Sequence, residues 1–391
     1  MIMENVLCET IRVYALISYA RQTSDTFLSL MVPTILLVGP VFFGVIAGSI
    51  TDHISRPKLA YPIIALATFA SVALISVQVG NTYLTWTLLI GVAILSYLSV
   101  NIRIAASKFA VDPQDYSRFH SGVVWVLQVA PVASPLIAGL IASGGSIVWM
   151  YFVILAACAF AGAAAFSIVI SRSTRDHQSG ITPKLTFGDV SRSSSAAART
   201  VFSDVPLRSS VFIASLQNVL VFVSGSIATV QYQSTSNFEL LGGLPLFVAG
   251  CGAFVSAPVA GLFKKKVGAR RLLTISLFAS VIAVAIQSLI ALNPWMLTMV
   301  FLVGANGATT AVCAWDIRLE RSSKSNIGSI AGLTSTLYKL PSIVVLPLVG
   351  LIANVKDSSV ALISAVAIVC GLYALNFLSN VLTIQSRRED F

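Results

Sequence analysis

The sequence predicts an all-α integral membrane protein with twelve transmembrane helices in two pseudo-symmetric six-helix bundles. Three observations carry that expectation. Hydrophobic residues make up 56% of the 391-residue chain and charged residues only 10%, a balance that a soluble fold cannot hide in its core. Breaking the chain at charges and turn residues leaves twelve apolar stretches, each about the 20 residues needed to cross the hydrocarbon layer. A short pattern opened by Gly48 returns 213 residues later at Gly261. Each copy sits at a basic turn between apolar stretches, as in a duplicated membrane bundle.

In chain order the spans are predicted near 2–21, 26–51, 59–79, 83–107, 119–142, 146–170, 210–233, 240–263, 271–292, 295–316, 328–353 and 358–384. Residues 1–170 form the first bundle and 210–391 the second. The segment 171–209, polar and rich in Ser, Arg and Ala, reads as a cytoplasmic linker with one surface helix. Lys and Arg test the count independently, because they collect on the cytoplasmic side. All of them except Arg12, Arg21, Lys339 and Lys356 lie in or beside the loops after spans 2, 4, 6, 8 and 10, or in the tail. Both termini are therefore expected in the cytoplasm, and the net charge of +10 has a topological meaning. No solvated domain concentrates it for nucleic acid.

Other classes are excluded in turn. Cys8, Cys158, Cys251, Cys313 and Cys370 stand singly in apolar segments without metal spacing, so they read as packing residues. His53, His120 and His177 lie in or beside cytoplasmic loops and form no catalytic constellation. No phosphate-binding glycine loop is present. The chain is expected to be no enzyme and to hold no metal or cofactor. No small-residue cleavage site follows the first span, which is expected to stay in the protein.

The halves echo one another beyond the glycine pattern. Asn101-Ile102-Arg103 at the end of span 4 matches Asp316-Ile317-Arg318 at the end of span 10. The run from Ser134-Pro135 to Ala142 in span 5 matches Leu346-Pro347 to Ala353 in span 11.

A charge near a helix centre costs about 2.5–3.5 kcal/mol on insertion scales, so each should face a cavity or a partner. Glu9 and Arg12 are three apart on one face of span 1 and can neutralise one another; Glu9 is read either as a proton carrier or as half of a structural ion pair. Lys339 lies near mid-membrane in span 11, with no acid within a turn. Its partner must come from another helix, a bound anion or water. Arg103 and Asp316, at equivalent helix ends, read either as snorkelling end charges or as a cytoplasmic gate between the bundles.

The two copies carry a family resemblance. Gly48, Asp52, Arg56 and Lys58, with His53 and Ser55 at variant positions, resemble the helix 2–3 signature of the major facilitator superfamily. The second copy keeps Gly261, Lys266, Gly268, Arg270 and Arg271, with Lys265 where the acid would stand. The resemblance implies a central cavity opening alternately to either side, with Asp52 as a gating acceptor and Gly48 allowing close packing. It also implies that Tyr14, Tyr19, Trp125, Gln128, Gln217, Asn218, Phe222 and Tyr232 face the cavity, while Tyr338 beside Lys339, with Pro341 and Pro347 below, fits a broken, cavity-lining helix. Pro135 and Gly139 resemble the helix 5 motif of proton-driven exporters, with Ser134 where its glycine would stand, and Ile141-Ala142-Ser143-Gly144-Gly145 followed by Trp149 is similar to the drug- and siderophore-exporter branch. Relative to that branch, helix 1 is expected to be short or to start at the membrane edge.

The resulting expectation is a proton-coupled exporter in a bacterial inner membrane, moving a small amphiphilic molecule. Arg12 and Lys339 favour an anion such as a siderophore. An outer-membrane export system is the partner this implies. A multidrug antiporter and a metabolite importer are the alternatives on the same fold.

Overall fold

The computed structural model describes residues 2–23, 25–53, 60–110, 127–143, 187–235, 242–290, 294–322 and 327–389. Regular structure among them is helical: α1 (Ile2–Thr23), α2 (Thr26–His53), α3 (Ala60–Val79), α4 (Thr82–Ala110), α5 (Val129–Ala142), α6 (Phe187–Ser203), α7 (Val205–Thr235), α8 (Leu244–Val267), α9 (Ala269–Leu289), α10 (Pro294–Arg321), α11 (Ile327–Val355) and α12 (Ser358–Glu389). Helices α1–α5 and α7–α12 fall on eleven of the predicted spans, and the span at 146–170 lies outside the described residues. By length and composition α2, α4 and α7–α12 are long and apolar enough to cross a membrane.

Short polar side chains set the turns. Asp25, Asn81, Asp204 and Asp357 accept hydrogen bonds from the backbone N–H groups of Leu28, Leu84, Leu207 and Val360, at 2.7–3.2 Å. They cap α2, α4, α7 and α12 as orphan helix donors require. Between α8 and α9 the chain reverses at Gly268, whose φ of +88° is a conformation that L side chains rarely adopt.

Two sequence expectations are corrected here. Helix α1 is not short: its 22 residues rise about 33 Å at 1.5 Å each. The linker helix α6 is no free surface helix. Ala197 and Val201 are fully buried in the core of the second half, and Ser193 hydrogen-bonds Ser329 of α11. Helix α7 already starts at Val205, ahead of the predicted 210.

The helices pack as two bundles. Helix α1 touches α2, α3, α4 and α5, while α7 touches every helix from α8 to α12. Two equivalent seams join the halves, α2 against α11 and α5 against α8. At the second seam Gly250 faces the Pro131 carbonyl so closely that a Cβ would collide with it, the close backbone approach that small residues permit between membrane helices. At the first, Gly44 lies against Thr336 and the Gly332 carbonyl in the same way.

Candidate functional site

Where the bundles meet, charges distant in sequence converge. Arg12 forms an ion pair with Glu9 one turn earlier on α1, and its guanidinium carbon lies 5.6 Å from the Phe222 ring centroid on α7. Lys339 of α11 holds its ammonium 5.4 Å from the Tyr97 ring centroid on α4, and it interacts electrostatically with both Arg12 and Glu9. The neighbours that other helices bring to Lys339 are thus the Tyr97 ring of α4 in contact and, within electrostatic range on α1, Arg12, which repels it, and Glu9, which attracts it. A cation over an aromatic face is stabilised by about 0.5–1 kcal/mol when exposed and about 2 kcal/mol when desolvated, which falls short of what a buried charge loses in leaving water. Asn218 fixes the neighbouring turn, donating from Nδ2 to the Tyr338 carbonyl at 3.2 Å.

A third cation was hidden by its position. Arg318 counts among the basic residues after span 10, yet it is 2% exposed. Its guanidinium carbon lies 4.4 Å from the Trp315 centroid and 5.0 Å from the Tyr338 centroid. Its Nε and the Tyr338 hydroxyl are buried without a hydrogen-bond partner among the described residues. The signal available in the sequence is Trp315 three residues before Arg318, a spacing that puts both on one helix face. Around Tyr338 and Lys339 the described residues therefore gather three cations and the Glu9 carboxylate.

Other predicted residues are placed elsewhere. Gln217 is buried at 1% exposure and donates to Ser280 of α9 at 2.8 Å, so it serves packing within the second bundle. Tyr19 accepts a 3.1 Å hydrogen bond from Trp86 inside the first bundle, and Tyr232 packs beside Met296 and Val300. Gln128 is half-buried at the start of α5. Asp316 pairs with Lys264 on α8, within its own bundle rather than across to the other. Gly261 faces open space, so no close approach requires it. Lys266, Arg270 and Arg271 are exposed, and the two arginines border a cavity of about 360 Å³ with Gly268, Pro206, Glu320 and Arg321. Arg56, Lys58, Trp125 and the side chains at Gly48, Asp52, Arg103 and Lys265 lie outside the described residues.

The α2–α11 seam ends in a latch. Asn354 of α11 accepts hydrogen bonds through Oδ1 from the backbone N–H groups of Thr26 and Phe27, at 2.8 and 3.2 Å. Its Nδ2 donates to Asp25 at 2.6 Å. A side chain of the second bundle thus completes the N-cap of a helix in the first. Further along the seam Thr336 donates to the Pro40 carbonyl at 2.9 Å and Tyr97 to the Gly332 carbonyl at 3.4 Å.

Comparison with known proteins agrees with this architecture. A family model described as the Major Facilitator Superfamily matches residues 9–346. No curated protein matches the chain. Crystal structures of a bacterial homologue of the iron transporter ferroportin are similar in fold. The outward-facing structure is 14% identical with a TM-score of 0.53, covering 96% of this chain and 100% of that one. The inward-facing structure is 13% identical with a TM-score of 0.56, covering 95% and 97%.

Proposed function

Because the chain belongs to the major facilitator superfamily, we propose that it is a proton-coupled secondary transporter that exports a small organic anion across a bacterial inner membrane, both termini in the cytoplasm. The observation that carries this reading is the Glu9–Arg12 ion pair on α1, close enough to Lys339 of α11 for both charges to act on it. An anion entering there meets Lys339, which has no carboxylate in contact among the described residues, and competes with Glu9 for Arg12. The competition couples the two cargoes. Glu9 takes a proton from the outside as the anion leaves, and gives it up inward as Lys339 engages the next anion, so the two cargoes move in opposite directions. Alternating exposure follows from rocking about the two seams, with the Asp25–Asn354 latch closing one end.

The fold neighbours concern iron, but a bare divalent cation would meet more cations than carboxylates at this centre. An amphiphilic anion of the siderophore class suits the charge and the aromatic faces of Phe222 and Tyr97 better. The test is transport in inside-out vesicles under an imposed proton gradient, comparing a catecholate siderophore with a cationic dye. Gradient-dependent siderophore accumulation that falls at least about tenfold in Lys339→Ala is expected, a loss of about 1.4 kcal/mol or more. Dye accumulation indifferent to that substitution would replace this reading with a multidrug antiporter, and uptake in the opposite direction with an importer.

A further inference from the structure

Arg318 is not explained by the pairings around it. Buried cations in proteins are paired with carboxylates or hydrogen-bonded throughout, because an uncompensated buried charge is strongly destabilising. Asp316, two residues away, is engaged by Lys264, and among the described residues no carboxylate pairs with Arg318. Its fork is flanked by aromatic rings, which hold a guanidinium in place without neutralising it. Among the described residues the Tyr338 hydroxyl has no partner, nor does the Ser342 hydroxyl one turn further along α11. The Nε of a planar donor fork and two idle hydroxyls lack one thing in common, an acceptor.

We propose that Arg318 is a second anion-binding residue of the transport route, taking a carboxylate of a planar organic anion whose flat body rests on Trp315 and Tyr338. This rests on the organic-anion reading above and names the substrate class more narrowly. Arginine suits the role where lysine would not, since its fork meets both carboxylate oxygens at once. Tyr338 joins the two binding positions: its ring carries Arg318, its carbonyl is held by Asn218, and the next residue is Lys339. An anion leaving one cation thus finds the next a short step away.

Trp315 supplies the readout, because its indole lies against the guanidinium that would move. Full-length protein in detergent is titrated with benzoate, and with benzamide as the neutral twin, at constant ionic strength. The difference in tryptophan emission between the parent and Trp315→Phe is followed. A saturable change with benzoate and none with benzamide is expected. Arg318→Lys should weaken it at least tenfold, and Arg318→Met should abolish it without lowering the melting temperature, since an apolar side chain removes a buried charge. No saturable change in the parent, or the same change in Arg318→Met, overturns the proposal. Should Arg318→Met leave siderophore transport intact while Lys339→Ala abolishes it, Arg318 loses its role and the transport reading stands. Absence of anion transport in the parent overturns both.

Discussion

Removing the Asn354 side chain should loosen the end of the molecule that it latches. In Asn354→Ala the backbone N–H groups of Thr26 and Phe27 lose their shared acceptor, and Asp25 loses the donor that now sits 2.6 Å away. These groups are exposed, so water replaces the lost bonds and the net cost is that of a truncated N-cap, about 1 kcal/mol within a range of about 0.5–2. The bonds cross between bundles, so in the rocking proposed above they are made only in the state closed at this end. The whole cost therefore falls on the closed state, and the closed-to-open ratio should drop about fivefold. Spin labels at Tyr83 and Leu289, which are 90% and 79% exposed at this end of opposite bundles, would read the two populations by pulsed electron resonance. Asn354→Asp should act in the same direction and more strongly, because it sets a second carboxylate against Asp25. Distance distributions identical in the parent and both variants would refute the latch.

Two further outcomes follow from packing and charge. Gly250→Val would drive a branched side chain into the Pro131 carbonyl across the α5–α8 seam. A loss of about 1–3 kcal/mol is expected, seen as a lower melting temperature, and an unchanged midpoint would contradict the close approach. Lys264→Ala and Asp316→Ala should be non-additive in stability by about 1 kcal/mol or less, shrinking with salt, because the pair is part-exposed. Since both residues lie in one bundle, neither substitution should shift the Tyr83–Leu289 distances; a shift would restore a gating role for Asp316.

Hydropathy, basic-residue asymmetry and the internal repeat made the helical membrane fold legible in the sequence. These properties are set residue by residue against the solvent, so they need no tertiary information. The caps at Asp25, Asn81, Asp204 and Asp357 are of the same local kind, as is the turn at Gly268, whose neighbours in sequence decide its conformation. The Glu9–Arg12 pair was visible too, because helical spacing alone brings the two together.

Partnership between helices was not legible. Lys339 announced only that it needed company, and its neighbours Tyr97, Arg12 and Glu9 required α4 to touch α11 and α1 to pass within electrostatic range. Gln217 reads in sequence like Asn218, its neighbour. A rotation of one residue about the helix sends one amide into Ser280 and the other to Tyr338. Asp316 sat at a helix end equivalent to that of Arg103, yet its charge went to Lys264 on the adjacent helix. Arg318 shows the limit most plainly. Its sequence position is that of a loop base at the membrane edge, and three residues of helix separate it from the end of α10. Only the closing of Trp315 and Tyr338 around it turned a topological charge into a buried one, because burial belongs to the packing of several helices and sequence spacing constrains only one.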